Sequence, residues 1–128
     1  MQHHDDERPH PETILYTDVT AAVYQEWNVI KKNKFGRMQA RRIGIDGHKV
    51  YNSKRDTHNR NTSAVHRAQR DISTIRKVDF VDINNRTFKI TFADEREIYD
   101  IEYTCDTARD CAEIVAKLNY LLSKRNES

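Results

Sequence analysis

Only one stretch of the chain carries clear helical periodicity, and it lies near the C-terminus, from Asp106 to Ser123. Ala108, Cys111, Ala112, Val115, Leu118 and Leu122 fall at helical spacing and make one apolar stripe. Thr107 followed three residues later by Asp110 forms a capping box with Asp in place of the usual Glu. Lys117, Lys124 and Arg125 lie towards the end of the segment, where the helix dipole favours cations. Three of the chain's four leucines (Leu118, Leu121 and Leu122) are here, whereas the apolar residues upstream are mostly Ile, Val, Phe and Tyr, which suit pleated strands. An apolar stripe needs a partner to bury against. The β-rich body is the one available, so the chain reads as a sheet closed by a terminal helix.

Punctuation along the body supports that reading. Ile14 to Ala22 fits either a short strand or a helical lead-in. Val23 to Lys32 reads as a strand with Val23, Trp27 and Val29 on one face. Lys34 to Arg37 reads as a hairpin turn around Gly36, and Arg37 to Ile45 as the returning strand. Asp46-Gly47 is a strong two-residue hairpin signal before a third strand, His48 to Ser53, with Val50 inward. Lys54 to Arg70 is rich in Asn, Thr, His and Arg and reads as a long exposed loop. Strand character returns over Ile72 to Ile83, bent near Lys77, and again over Arg86 to Phe92 and Glu97 to Thr104. Asn84-Asn85 and Ala93 to Arg96 supply the turns. The expected fold is mainly β: a bent antiparallel sheet of about seven strands capped by one C-terminal α-helix.

The chain has 128 residues, enough for one domain with a modest core. We assign residues 14–124 to that domain and read 1–13 and 125–128 as polar tails. No apolar window is long enough to span a bilayer, and the N-terminus has no signal-peptide character. Cys105 and Cys111 carry no metal spacing and read as buried thiols of a reduced, cytoplasmic protein. Net charge is only +2, but it is unevenly spread. Residues 31–70 hold twelve Lys and Arg against two acids, whereas residues 79–113 hold ten acids against four bases. A near-neutral chain of this kind can still present one strongly basic face.

The order of strands and helix resembles the pleckstrin-homology (PH) superfold over roughly residues 22–123. A closer resemblance is to the C-terminal PH domain family of Sin1, the subunit of the second target-of-rapamycin kinase complex. It is carried by Gly44 to Val50 after the second strand and by Glu113 to Leu122 in the helix. Trp27 lies in the first strand, whereas most PH domains keep their Trp in the terminal helix, so the resemblance is to a divergent branch. It implies phosphoinositide recognition and a regulatory role at membranes. PH-like folds also serve as pure protein-binding modules, so the fold does not decide between them.

The residues themselves offer one candidate site. Lys31, Lys32, Lys34, Arg37, Arg41 and Arg42 flank the first hairpin with no acid among residues 31–42. Alternate residues of a strand share a face, so cations there can converge on one multiply charged inositol headgroup, with Arg offering paired donors. We take Lys32, Lys34, Arg37, Arg41 and Arg42 as the candidate phosphoinositide ligands. Lys54, Arg55, Arg60, Arg67 and Arg70 can extend the same basic surface. The plainer alternative is a solvated face that keeps the domain soluble. Nucleic acid is a weaker candidate: Phe35 and Tyr51 could stack bases, but no RNA-binding motif is present. No phosphate-binding Gly loop and no nucleophile–His–acid signature appears, so we expect no enzyme, no cofactor and no metal site. The expectation is a binding and targeting module for anionic phosphoinositide membranes, cytoplasmic and peripheral at the membrane. Its rival is a protein-interaction module in a signalling or kinase complex, docking through the acidic 79–113 region or an open sheet edge. A lipid site requires Lys32, Arg37 and Arg41 to form one pocket; a docking module lets them scatter.

Overall fold

The computed structural model describes residues 18–55, 68–82 and 84–126. A short helix α1 (Asp18–Ala22) precedes seven antiparallel strands: β1 (Gln25–Lys32), β2 (Met38–Ile45), β3 (Lys49–Lys54), β4 (Ala68–Asp71), β5 (Ile75–Phe80), β6 (Thr87–Ala93) and β7 (Ile98–Cys105). A 3-10 turn over Ile72–Thr74 joins β4 to β5, and helix α2 (Ala108–Asn126) ends the fold. The strands form one sheet in the order β4-β3-β2-β1-β7-β6-β5. The bend expected near Lys77 is a register shift between Ile75 and Lys77 where β5 meets β6. Asn85 takes the left-handed backbone (φ 58°) that its turn requires.

One expectation needs correcting. The segment Lys54 to Arg70 is not loop to its end, because Ala68–Asp71 pairs with β3, Val50 facing Arg70 and Asn52 facing Ala68. Ala-Gln-Arg-Asp has neither apolar alternation nor β-branched residues, so its strand comes from the neighbour it pairs with rather than from local preference. The ambiguous lead-in resolves as helix over its last five residues. The readings for residues 1–17, for 56–67 within the long loop and for 127–128 fall outside the described residues, while α2 runs to Asn126, into the stretch read as a tail.

The inner face of the sheet follows the period-2 pattern. Val29, Ile43, Ile45, Val50, Phe88, Ile90, Phe92, Ile101 and Tyr103 are buried, and Phe88 stacks on Tyr103 at 5.4 Å. From α2, Cys111, Ile114, Val115, Leu118, Leu121 and Leu122 close over them. Ala108 of the expected stripe is exposed. Thr107 Oγ1 accepts from the Asp110 N–H, as the capping pattern requires. Both thiols are buried and free, and hydrogen bonding to Cys111 followed by burial drives the Cys105 thiol far above its usual range. Arg125 ties the end of α2 to the sheet by donating to the Ile72 and Ile75 carbonyls at 3.0 and 3.1 Å.

Lys117 is not the solvent-facing cation that the dipole argument suggests. It is fully buried, and its amine donates to the Thr20 and Val23 carbonyls and to Gln25 Oε1. Burial pushes the amine below the ordinary lysine range, against the attraction of Asp46. The bonds hold α1 and the start of β1 against α2.

Asp46 organises the β2–β3 turn. Its carboxylate accepts from the His48 and Lys49 N–H groups and from the Tyr51 hydroxyl, at 2.7–2.8 Å. Partial burial alone would raise its pKa, but the His48, Tyr51 and Lys49 hydrogen bonds outweigh it and hold the carboxyl below its ordinary value. A depressed folded pKa contributes stability that is present above the unfolded value and lost as pH falls through the folded one. Asp46→Asn is therefore expected to cost about 1 kcal/mol at neutral pH, discounted for exposure, and nothing at strongly acid pH. Urea unfolding of both proteins from neutral pH downward checks this. A gap that stays constant into strong acid would show that the carboxylate is not responsible.

Candidate functional site

The antiparallel order brings the β1–β2 turn, the end of β3, the start of β4 and the β6–β7 turn to one end of the barrel, opposite the α1 and β2–β3 end. At that mouth, register decides which cations look inward. Val29 faces Arg41 and Lys31 faces both Gln39 and Tyr103, so Lys31 and Arg41 share the inner face with buried Val29 and Tyr103. Lys32 faces Met38 on the opposite side, the side that also carries Arg42. Arg42 approaches Glu26 there at 3.9 Å. Lys34 and Arg37 sit in the exposed turn between the strands. The candidate set thus divides: Arg41 points into the mouth, Lys34 and Arg37 stand on its rim, and Lys32 and Arg42 lie on the outer face, so Lys32, Arg37 and Arg41 do not form the one pocket expected of a lipid site, and any anion site at the mouth rests on Arg41 with other residues.

Two residues complete the inner group in place of Lys32. One is Lys31. The other is Arg70, carried by β4, whose side chain crosses the barrel to place its guanidinium 5.3 Å from the Phe92 ring and 5.6 Å from that of Tyr99. Its Nε donates to the Tyr99 hydroxyl at 2.8 Å. Lys31, Arg41 and Arg70 are all half-buried. Burial first, and then the positive charges of Arg70 and Arg41, push the Lys31 amine below the ordinary lysine range. None of the ion pairs among the described residues involves any of the three.

The floor of this mouth also has spare donors. Arg70 Nη1 and Asn52 Nδ2 are buried and make no hydrogen bond among the described residues. Asn52 Oδ1 is already taken by the Tyr103 hydroxyl, which burial keeps far above the ordinary phenol range and so protonated. Buried donors without acceptors are costly and uncommon in folded proteins. Three convergent cations and two orphan donors, with no carboxylate paired to them among the described residues, make a cradle for an acceptor-rich anion.

The remaining cations have other employment. Arg55 donates to the Arg41 carbonyl at 3.0 Å and the Val29 carbonyl at 2.6 Å, bracing the hairpin from beneath. Lys54 is exposed at the end of β3, and Arg60 and Arg67 lie outside the described residues. Tyr51 is not open for stacking: it packs edge-on against Tyr24 at 5.6 Å and bonds Asp46, on the outer face. Gly44 permits this, since a Cβ there would lie 2.2 Å from the Tyr24 hydroxyl. Among the described residues no helix is long and apolar enough to cross a membrane.

Comparison with known proteins agrees with this architecture. The DH/PH domains of p115-RhoGEF superpose with a TM-score of 0.61 at 11% identity, over 76% of this chain and 30% of that one. The chain thus spans less than a third of that fragment. The N-terminal PH domain of human ARAP2 gives 0.59 at 12% identity, covering 80% of this chain and 81% of that one. The Slm1 PH domain, solved in complex with inositol-4-phosphate, gives 0.63 at 10% identity over 76% and 93%. At such identities the likeness speaks to fold. No curated protein matches the sequence. The profile of SAPK-interacting protein 1 (Sin1), Pleckstrin-homology, matches residues 22–124, and the chain belongs to that family.

Proposed function

We propose that the domain is a binding and targeting module that takes a phosphorylated inositol headgroup into the mouth of its barrel and so docks on anionic membranes. The observation that carries this reading is the convergence of Lys31, Arg41 and Arg70, unpaired with any carboxylate among the described residues, over the orphan donors of Arg70 and Asn52. A headgroup phosphate supplies both the negative charge and the acceptors that this cluster lacks. Lys34 and Arg37 on the rim, with Lys32 and Arg42 on the outer face, then act at longer range on the charged lipid surface. A PH domain of the same fold, that of Slm1, was solved in complex with inositol-4-phosphate, which is consistent with it. In this reading the domain brings a signalling complex of the target-of-rapamycin type to the membrane, without chemistry of its own.

The test is calorimetric titration with soluble inositol trisphosphate, beside cosedimentation with vesicles of phosphatidylcholine alone or with phosphatidylinositol bisphosphate. We expect saturable 1:1 headgroup binding that weakens as salt rises, and vesicle binding only when the anionic lipid is present. Absence of both at low salt, where screening is least, overturns the reading.

A second reading, protein docking, has one feature in its favour. The β6–β7 turn carries exposed Asp94, Glu95 and Glu97 beside Ile98, which is 64% exposed. An acidic lip around an apolar side chain suits a basic partner protein. It is carried by a different turn from the basic β1–β2 hairpin, so both surfaces can act in one molecule.

A further inference from the structure

We infer that the open edge of β5 pairs with the same strand of a second copy of this chain, joining two domains through one antiparallel ladder. The sheet order leaves β5 at one end, with β6 as its only strand neighbour among the described residues. The Val81 N–H donates to the Thr87 carbonyl, so by alternation Lys77 and Asp79 also bond towards β6. The N–H and C=O groups of Val78 and Phe80 therefore point at the open edge.

Proteins commonly blunt such edges by shortness, a bulge or a lysine. The other edge strand, β4, has only four residues. β5 has six, and its bulge is confined to the start, between Ile75 and Lys77, where Arg125 also occupies the Ile75 carbonyl. Lys77 to Phe80 keeps regular register with β6. Lys77 lies 3.7 Å from Asp79 on the same face, so the strand meets a second copy with balanced charge instead of a lone repelling cation.

That charge pattern selects one register. A twofold axis at Lys77 would set two lysines against each other, and one at Asp79 two aspartates. An axis at Val78 sets Lys77 of each copy opposite Asp79 of the other. These pairs fall at the non-hydrogen-bonded positions of the new ladder, where facing side chains are closest, while the outward groups of Val78 bond those of its own copy. Apolar surface supports the contact. Val78, Phe80 and Tyr120 are half-buried at the border of the core, and Val81 is 47% exposed. A contact of this symmetry closes at two copies and does not propagate into fibres. β5 is three places from β1 in the sheet, so the basic hairpin stays outside it.

Sedimentation equilibrium of the wild-type chain is expected to show a monomer–dimer equilibrium with a Kd of about 10–100 µM, in keeping with a single strand pair. Lys77→Asp and Asp79→Lys are each expected to weaken it by about tenfold or more, because each sets like charges against each other at both facing positions. Mixing the two variants restores the dimer, since one copy then offers two cations to two carboxylates of the other. Thermal unfolding of each variant in dilute solution checks that it is folded. Amide exchange gives the local readout: the Val78 and Phe80 N–H groups gain protection as concentration rises, whereas that of Asp79, already bonded to β6, does not change. A wild-type chain that stays monomeric at the highest concentration overturns the inference. A dimer that survives both single variants, or that leaves Val78 and Phe80 unprotected, overturns it too and puts the contact elsewhere, such as the basic hairpin of one copy on the acidic β6–β7 turn of another.

Discussion

Lys31→Glu is expected to weaken binding to phosphoinositide vesicles by about 10- to 100-fold, whereas Lys32→Glu, the same change in charge one residue away, costs only about two- to threefold. The difference follows from strand alternation. Both variants alter the domain's long-range field almost equally, so they share the loss from weaker attraction to the membrane. Only Lys31 points into the mouth beside Arg41 and Arg70; Lys32 faces Met38 on the outer side. A charge-assisted hydrogen bond to a bound phosphate is worth about 1.5–3 kcal/mol, which sets the extra loss. Arg41→Glu is expected to match Lys31→Glu. The stability readout should move the other way. Lys31 is held among like charges in the free protein, and a Glu there gains Arg41 and Arg70 as partners, so thermal unfolding of Lys31→Glu stays level or rises. Equal losses for the two lysines would mean that the membrane senses a diffuse basic face and that the mouth holds no headgroup.

That pair of neighbouring lysines also shows what the sequence can and cannot display. Charge alone does not separate Lys31 from Lys32. The alternation of Trp27 and Val29 does, because carrying it two residues further puts Lys31 on the inner face; the signal was present but lay in the apolar residues rather than in the basic ones. Arg70 is a different case. It reaches the mouth on β4, a strand of Ala68, Gln69, Arg70 and Asp71 that pairs only because β3 offers an edge, and no local pattern announces it. Its position depends on contacts remote in sequence, the Phe92 and Tyr99 rings among them. The architecture was far more legible. Phe88, Ile90 and Phe92 alternate without interruption, the stripe of α2 has one period throughout, and Asp46-Gly47 marks its hairpin, so these elements follow from local rules that agree with the tertiary packing.

The domain therefore has two ends with opposite electrostatic logic. At the mouth, the half-buried Lys31, Arg41 and Arg70 make no ion pair among the described residues, so an anion bound there would relieve their repulsion. At the closed end, Lys117, the one fully buried cation among the described residues, makes its bonds within the fold. In the headgroup reading proposed above, the repulsion left at the mouth costs stability that the rest of the core supplies, a common division in binding proteins. Here the supply comes from α2, which covers the inner face and is fastened at both its middle and its end.

Lys117→Ala is expected to be the most damaging of the substitutions considered, at about 3–5 kcal/mol and a fall of more than about 10 °C in melting temperature. The amine is buried beneath α1 and donates to two backbone carbonyls and to Gln25 Oε1. Two of its acceptors are the Thr20 carbonyl, near the end of α1, and the Val23 carbonyl just beyond it, where the carbonyls that end a helix need donors. Removing the side chain opens a cavity and takes the amine donor from the Val23 carbonyl and Gln25 Oε1, while the Thr20 carbonyl keeps the Val23 N–H. Lys117→Met refills most of the volume but restores no donor, so it is expected to recover only part of the loss and to cost about 2–3 kcal/mol. Lys77→Ala provides the contrast, since that lysine is 65% exposed and pairs with Asp79 across 3.7 Å of solvated surface; its loss should stay below about 0.5 kcal/mol. Chemical unfolding of the three variants ranks them. Amide exchange adds a local check, because the Val23 N–H bonded to the Thr20 carbonyl should exchange faster once α1 is released from α2. A Lys117→Ala protein within 1 kcal/mol of wild type would mean that α1 is held by its apolar contacts alone, through Ala21, and that the buried amine is incidental to the fold.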